Sequence, residues 1–399
     1  MKESNQKQMN RRNFLTAAAT GGATLAFVKP ASVRGTQANS AIEMGIIGTG
    51  GRGVWLGALA QKETQIKIVA LQDPFEDRLV KARERLGVDS SRCHKGVDAY
   101  RELLASKLDA VAIESPPYFH PEQVIAAVQA GKHVYLAKPV AVDVPGCRTI
   151  LDAGEKAKGR LNFFVDFQTR STPFFVEAAR RVHEGAIGKP VSGQVYYQAG
   201  RLRPQADPKD KSDAARLRNW VFDIALSGDI IVEQNVHVLD VANWFLKTTP
   251  LRAFGAGGRK ARIDVGDCWD HFIVTYWYPN DVLIDFSSGQ YLKGFDDLCT
   301  RIYGTEGTVD AHYEGQVSIK GTNPYEGGGT KGMYTTGAAA NLKAFEESLR
   351  TGRLLNNAVE CTNSTLTGIL GRKAAYEGRM VTWDEMLKDD KPFNVRLKL

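Results

Sequence analysis

Three groups of residues in this 399-residue chain have the types and spacing to do chemistry. The first is Gly48-Thr49-Gly50-Gly51-Arg52-Gly53, which follows the apolar run Ile42–Ile47 and precedes an amphipathic segment. In a G-x-G-x-x-G loop so placed, the first glycine makes the tight turn and the second lets a pyrophosphate approach the backbone. The third allows close helix–strand packing. The helix that opens there offers free N–H groups and a partial positive charge to phosphates. A second apolar run ends at Asp73, about 20 residues past Gly53, the separation of a carboxylate that binds the adenosine ribose hydroxyls. That acid favours NAD over NADP, because a 2′-phosphate beside it is repelled; the nearby Arg78 leaves NADP open.

The second group is Lys138-Pro139, directly after the strand-like His133–Leu136. A lysine there stands at the carboxyl end of a parallel sheet, where nucleotide enzymes place reacting groups. Partly desolvated, it can accept a hydroxyl proton near neutral pH while hydride leaves the same carbon. The third group is Glu233 and His237, four apart in an expected helix, so that both project from one face toward one substrate. One can act as acid or base while the other orients it or binds hydroxyls. Asp240, three residues on, is a candidate partner for His237.

Further candidates are weaker one by one. The turn Ser115-Pro116-Pro117-Tyr118-Phe119-His120 is stiffened by two prolines and can hold backbone against a nicotinamide ribose. Ser115, Pro116 and His120 therefore join the glycine loop, Asp73 and Lys138 as candidate cofactor contacts. Gln168, Arg170, Tyr196, Trp220 and Asp223, with Arg201 and Arg203, are candidates for lining a sugar site. His94, His183, His271 and His312 lack metal-ligand spacing, so no metal is expected. Cys93, Cys147, Cys268, Cys299 and Cys361 contain no C-x-x-C pair and read as small buried hydrophobes.

The elements that must position these residues follow from periodicity. Strands are predicted at Ile42–Ile47, Ile66–Leu71, Ala110–Ile113, His133–Leu136 and Leu161–Val165. Between them, helices are predicted at Val54–Gln61, Phe75–Leu86, Ala99–Ser106, Pro121–Ala130 and Pro145–Lys158. Such alternation makes a parallel sheet covered on both faces, a Rossmann dinucleotide-binding domain over residues 41–163. From 164 to 399 the rhythm changes. Helices are expected at Pro173–His183 and Ile230–Phe245, and a polar loop at Arg201–Arg218. Closely spaced strands follow at Val191–Gln198, Cys268–Tyr278, Val282–Gln290, Cys299–Tyr303, Thr308–His312 and Val317–Lys320. A mobile glycine loop at Gly327–Gly332 and closing helices at Ala338–Arg350 and Ala358–Gly378 complete an α+β domain with a largely antiparallel open sheet.

Composition narrows the partners. Hydrophobic residues make up 43% and charged residues 24%, ordinary globular values that exclude a disordered or fibrous chain. The formal charge is +7, but residues 1–40 hold six basic groups against one acid. The remainder has 46 basic and 44 acidic groups, so a nucleic-acid-binding surface loses its support. The leader carries Asn10-Arg11-Arg12-Asn13-Phe14-Leu15 and then a mildly apolar run, the pattern of a twin-arginine export signal, and implies a periplasmic destination. No stretch has the apolar length of a transmembrane segment.

Taken together, the glycine loop, Asp73, the Ser115–His120 turn and Ala137-Lys138-Pro139 resemble the Gfo/Idh/MocA oxidoreductases. So do Gly185-Ala186-Ile187-Gly188-Lys189-Pro190, Glu233-x-x-x-His237, Gly304-Thr305-Glu306-Gly307 and Gly371-Arg372-Lys373-Ala374-Ala375-Tyr376. The resemblance runs from about Ile42 to the C-terminus. Two motifs depart from the family pattern: Ala137 stands where glutamate is usual, and Glu233 where aspartate is usual. The resemblance implies an NAD(P)-dependent enzyme oxidising a sugar, cyclitol or glycoside hydroxyl, and a homo-oligomer formed through the open sheet. Lys138 is then the base, His237 assists, and Glu233 binds or orients substrate. An exported enzyme meets little free NAD, so the cofactor is expected to load before export and to stay tightly bound. A trapped cofactor suits a two-sugar cycle or a redox-neutral cleavage by oxidation and elimination, with C3 as the expected position. A nucleotide-binding sensor without catalysis is the reading from another class.

Overall fold

The computed structural model describes residues 41–399; the leader, with the expected twin-arginine signal, lies outside the described residues. Six strands form the first sheet: β1 (Ile42–Ile47), β2 (Ile66–Asp73), β3 (Cys93–Lys95), β4 (Ala110–Ile113), β5 (His133–Ala137) and β6 (Phe163–Asp166). Their order is β3-β2-β1-β4-β5-β6, with every pairing parallel. Parallel strands need covering on both faces, which explains why β1 and β4 are almost continuously apolar. Helices α1 (Gly51–Glu63) and α2 (Glu76–Leu86) pack on one face. α3 (Tyr100–Ala105), α4 (His120–Gln129) and α5 (Val144–Ala157) pack on the other. The chain winds outward in both directions from β1 and β4. A crevice for a ligand therefore opens at the carboxyl ends of those strands.

The second sheet has nine strands: β7 (Pro190–Gly200), β8 (Arg252–Gly258), β9 (His271–Trp277), β10 (Leu283–Leu292), β11 (Asp297–Gly304), β12 (Gly307–His312), β13 (Gln316–Gly321), β14 (Tyr325–Gly329) and β15 (Val381–Thr382). They run in the order β14-β13-β12-β11-β7-β10-β9-β8-β15. Only the central β7–β10 pair is parallel. Val195, Ile302, Val309, Val274 and Phe286 point to the inner face and are buried. There they meet α6 (Pro173–His183), α7 (Val236–Leu246) and α9 (Ala358–Glu377). The outer face is open, with Phe254 46% and Ile273 60% exposed.

Four features depart from the sequence expectations. First, β6 extends to Asp166 and belongs to the parallel sheet, so the expected domain boundary at 163 cuts through a strand. Second, α8 (Met333–Thr351) returns to the first domain. Its Ala338, Leu342 and Phe345 share a core with Met44 and Ile46, and Phe345 packs edge-on to Tyr135. The two domains thus interlock through the late part of the chain. Third, the first half of the expected mobile glycine loop, Gly327–Gly329, belongs to the edge strand β14. Phe174 lies on Gly328, where a Cβ would come within 2.3 Å of that ring. Fourth, the single helix expected over Ile230–Phe245 is broken into a turn, Ile230–Glu233, and α7. All five cysteines are free, and all but Cys93 are buried.

Candidate active site

The glycine loop adopts the geometry its sequence dictates. Gly48 has φ +88, left-handed, and a side chain there would strike the Ser115 backbone. Gly53 lies under the same turn, where a Cβ would come within 2.0 Å of the Gly48 carbonyl. Gly50 and Gly51 instead face open space, with Arg78 the nearest group, 3.9 Å from a Cβ at Gly50. Their amides open α1 onto a cavity of about 260 Å³, whose walls include Asp73, Arg78, Ser115 and Pro116. This cradle, with exposed helix-start amides and an acid at the end of β2, fits a dinucleotide.

Asp73 is held in place by two backbone amides. Its carboxylate accepts from Thr49 at 2.8 Å and from Phe75 at 2.9 Å, and burial raises its pKa. The roof of the cavity comes from the second domain. Gln205, Leu217, Arg218 and Trp220 close over the crevice, with the Arg218 guanidinium 4.0 Å from the centre of the Phe75 ring. Trp220, expected in a sugar site, therefore lines the cofactor cavity.

The remaining turn residues divide. Ser115 and Pro116 line the cavity, and the Ser115 hydroxyl donates to Gln123 at 2.6 Å. His120 does not reach the cavity. It is fully buried between the Pro139 carbonyl (2.9 Å) and the Ser115 carbonyl (2.8 Å), and burial pushes its pKa down to about 4. It acts as a strut joining the loop after β4 to the loop after β5. Arg52 also turns away from the phosphates. Its guanidinium pairs with Asp166 at the end of β6, lies 3.2 Å from Glu114 and donates to the Tyr334 hydroxyl at 3.0 Å. Glu114 lines the cavity and neighbours both Arg52 and Lys138; burial raises its carboxyl to about 7.

At this inner end of the crevice the structure brings Lys138, Glu233 and His237 together. Lys138 leaves the end of β5 and donates to the Glu233 carbonyl at 2.6 Å and to its carboxylate at 3.1 Å. The break before α7 makes this possible. The His237 amide bonds to Gln234 rather than to Glu233, which leaves the Glu233 carbonyl free for the lysine. Glu233 and His237 thus meet the site from two consecutive elements, not from one helix face. His237 is flanked edge-on by Phe167 and Tyr313. Burial, then the charges of Lys138 and Arg52, hold its pKa well below the usual value, so the imidazole is neutral. Its Nδ1 is buried with no partner within the protein, as are Asn235 Oδ1 and Gln290 Oε1. Such atoms are costly unless a ligand satisfies them.

Several expected residues are elsewhere. Asp240 does not orient His237: Arg170 holds its carboxylate at 2.8 and 2.9 Å, and Ser364 donates to it at 2.7 Å. Arg170 is committed to that pair and to the Trp244 ring. Gln168 is buried beneath α8, against Gly337. Asp223 caps the turn Ile224–Ser227 and pairs with Arg216. Tyr196 is on the outer face of β7, among the neighbours of Arg301 and Tyr303. Its neighbour Tyr197 points inward instead, near Glu233, and burial and that carboxylate raise its hydroxyl pKa. The alternation of β7 carried this signal, since Tyr197 shares a face with buried Val195. Glu114, Asp166 and Tyr313 were also missed, because only the folded chain brings them to Arg52 and His237.

A parallel sheet with a glycine-loop crevice, and a lysine and histidine at its inner end, define a dinucleotide-dependent oxidoreductase. The chain belongs to the Gfo/Idh/MocA oxidoreductase family: residues 42–166 match its NAD-binding Rossmann fold and residues 175–310 its C-terminal domain. It is 24% identical over 359 residues to myo-inositol 2-dehydrogenase of Thermotoga maritima, covering 87% of this chain and all of that one. It is 28% identical over 262 residues to an inositol 2-dehydrogenase of Klebsiella pneumoniae, covering 65% of this chain and 70% of that one. Among solved structures, levoglucosan dehydrogenase in complex with NADH and levoglucosan superposes with a TM-score of 0.68 at 19% identity, over 86% of this chain and 99% of that one. Aldose-aldose oxidoreductase of Caulobacter crescentus, complexed with glycerol, superposes with a TM-score of 0.70 at 18% identity, over 86% of this chain and all of that one.

Proposed function

We propose that the protein oxidises a secondary hydroxyl of a sugar or glycoside, at C3, with an NAD that stays bound between turnovers. The observation that carries this reading is the Lys138–Glu233 pair beside the unpartnered Nδ1 of His237, at the inner end of the cofactor crevice. NAD, when bound, accepts hydride from the reacting carbon. Lys138, as the neutral amine, takes the hydroxyl proton, and the Glu233 carbonyl and carboxylate hold the ammonium that results. His237, neutral, hydrogen-bonds the same or the adjacent hydroxyl. Asn235 and Gln290 supply oxygen acceptors for further hydroxyls. A site with several unsatisfied polar atoms between aromatic walls suits a ring bearing many hydroxyls, in keeping with relatives named for inositol and levoglucosan.

The roof of the crevice supports retention of the cofactor, because Arg218 and Trp220 must move before a dinucleotide leaves. A retained cofactor is restored in place, either by a second sugar or by oxidation, elimination and return of the hydride. The second route is favoured for a glycoside, since a ketone at C3 acidifies the C2 proton and lets the aglycone depart. The leader motif Arg11-Arg12 supports export to the periplasm by the twin-arginine machinery. Phe254, Ile273 and Leu283 on the open sheet support a homo-oligomer.

The test is acid release of nucleotide from the mature protein, followed by turnover of a glycoside panel in deuterated water. Near-stoichiometric NAD(H), with a 3-keto product or an aglycone lost with C2 deuteration, is expected. Empty protein that oxidises a sugar only with added NAD, one NADH per ketone formed, refutes retention, and no turnover of any sugar favours a binding protein without catalysis.

A further inference from the structure

On the outer face of the second sheet, one residue from the Tyr313 that flanks His237 on the inner side, donor groups suited to a metal converge. Asp297 and Cys299 lie two apart on β11, and Asp310 and His312 two apart on β12. Cys299 and His312 are direct partners in the antiparallel register, so all four side chains share one face. One donor atom from each of Asp297, Cys299 and His312 lies within 4.8 Å of the others. Asp310 stands beside this group. Its Oδ1 is 3.2 Å from His312 Nε2 and 3.4 Å from Cys299 Sγ, while His312 Nδ1 is 3.0 Å from Asp297. Around a tetrahedral zinc, with bonds of about 2.0 Å to N or O and about 2.3 Å to S, neighbouring ligand atoms stand about 3.3–3.6 Å apart. The His312 Nδ1–Asp297 separation is already close to such an edge, while Asp310 faces the other ring nitrogen, as a carboxylate behind a ligating histidine does. The linear spacing of His312 concealed this, because the register of two strands supplies the proximity.

We propose that Asp297, Cys299 and His312 bind one tetrahedral transition-metal dication of the zinc class, with water as the fourth ligand. Cys299 is fully buried, which shields a metal–thiolate bond from water, while the Asp297 and His312 side chains are 28% and 27% exposed and leave a path for the ion. Binding releases two protons to solvent, one from the Cys299 thiol and one from the His312 ring nitrogen that faces Asp297. Arg301, 3.1 Å from Asp310, stays as the partner that orients this carboxylate. The site joins two neighbouring strands on the sheet face opposite His237, so its role is to fasten the sheet rather than to take part in oxidation.

Cobalt, which replaces zinc and absorbs visibly, is the probe. Titration of the full chain with Co(II) is expected to give intense tetrahedral d–d bands and a thiolate-to-cobalt charge-transfer band that saturate at one equivalent. Cys299→Ser should lose the charge-transfer band, and Asp297→Asn should weaken binding while sugar oxidation is unchanged. Absence of the thiolate band in the wild-type protein overturns the proposal. So does an undiminished band in Cys299→Ser, which would place the metal on another cysteine. Should Cys299→Ser fail to fold, His312→Gln must show weakened cobalt binding and altered d–d bands for the proposal to stand.

Discussion

If the roof over the cofactor crevice holds the dinucleotide in, its fastening must be measurable. Arg218 is the fastening that links the two domains most directly. Its guanidinium is 4.0 Å from the centre of the Phe75 ring and bonds to Asp77 at 2.5 and 3.2 Å. The pair is part-exposed, with side chains 27% and 50% accessible, so its worth is that of a surface ion pair, about 0.2–1 kcal/mol. The arginine–aromatic contact adds about 0.5–1 kcal/mol. Together they come to about 0.7–2 kcal/mol, so Arg218→Ala should release cofactor about 3–30 times faster. The assay loads the protein with NADH, adds excess NAD and follows the decay of nicotinamide fluorescence. Raised ionic strength should speed release from the wild type, since salt screens the exposed pair, and should affect Arg218→Ala less. Release at the wild-type rate in Arg218→Ala would refute the view that this segment is a clasp.

Three further outcomes follow from the buried groups. Glu114 has its folded pKa raised to about 7 from an ordinary 4.5, so its contribution is intact below pH 4.5 and is lost as pH rises through 7. Glu114→Gln should therefore gain up to about 3 kcal/mol of stability at pH 8 relative to wild type and little at pH 4, as denaturant melts at the two pH values will show. Asp240→Ala leaves the part-buried Arg170 and Ser364 without their acceptor and should cost about 1–3 kcal/mol of stability. The folded fraction should keep its kcat and pH profile, whereas a loss of kcat would return Asp240 to the role of orienting His237. Gly53→Ala should abolish dinucleotide binding, read by calorimetry, because its Cβ would come within 2.0 Å of the Gly48 carbonyl and force the loop open.

The first domain was legible because its signals are local. Apolar strands buried on both faces and amphipathic helices reveal themselves within a window of a few residues, and strands β1 and β4 end where periodicity places them. β3, at three residues, was too short to leave such a trace. The late return of α8 to the first sheet was illegible, because Phe345 meets Tyr135 and Phe164 only across long sequence separations. Within the site, Lys138, Glu233 and His237 carried motif signals, but the broken helix beside them did not. Its cause is tertiary: the Glu233 carbonyl bonds to a lysine 95 residues away. Arg52 sits inside the phosphate motif and yet serves the opposite end of the crevice, since its long side chain reaches Asp166. Tyr196 and Tyr197 show the reverse case, in which strand parity held the answer and the choice of aromatic missed it.

If Lys138 accepts the proton of the hydroxyl being oxidised, its removal must slow the chemical step and leave cofactor binding intact. The most direct measurement is a single turnover of NAD-loaded protein, wild type and Lys138→Met, mixed with a sugar that the wild type oxidises while nicotinamide absorbance is followed. The account predicts that Lys138→Met retains its full complement of nucleotide but forms reduced nicotinamide about 10²–10⁴ times more slowly. Reduction of the bound NAD at the wild-type rate in Lys138→Met would contradict it.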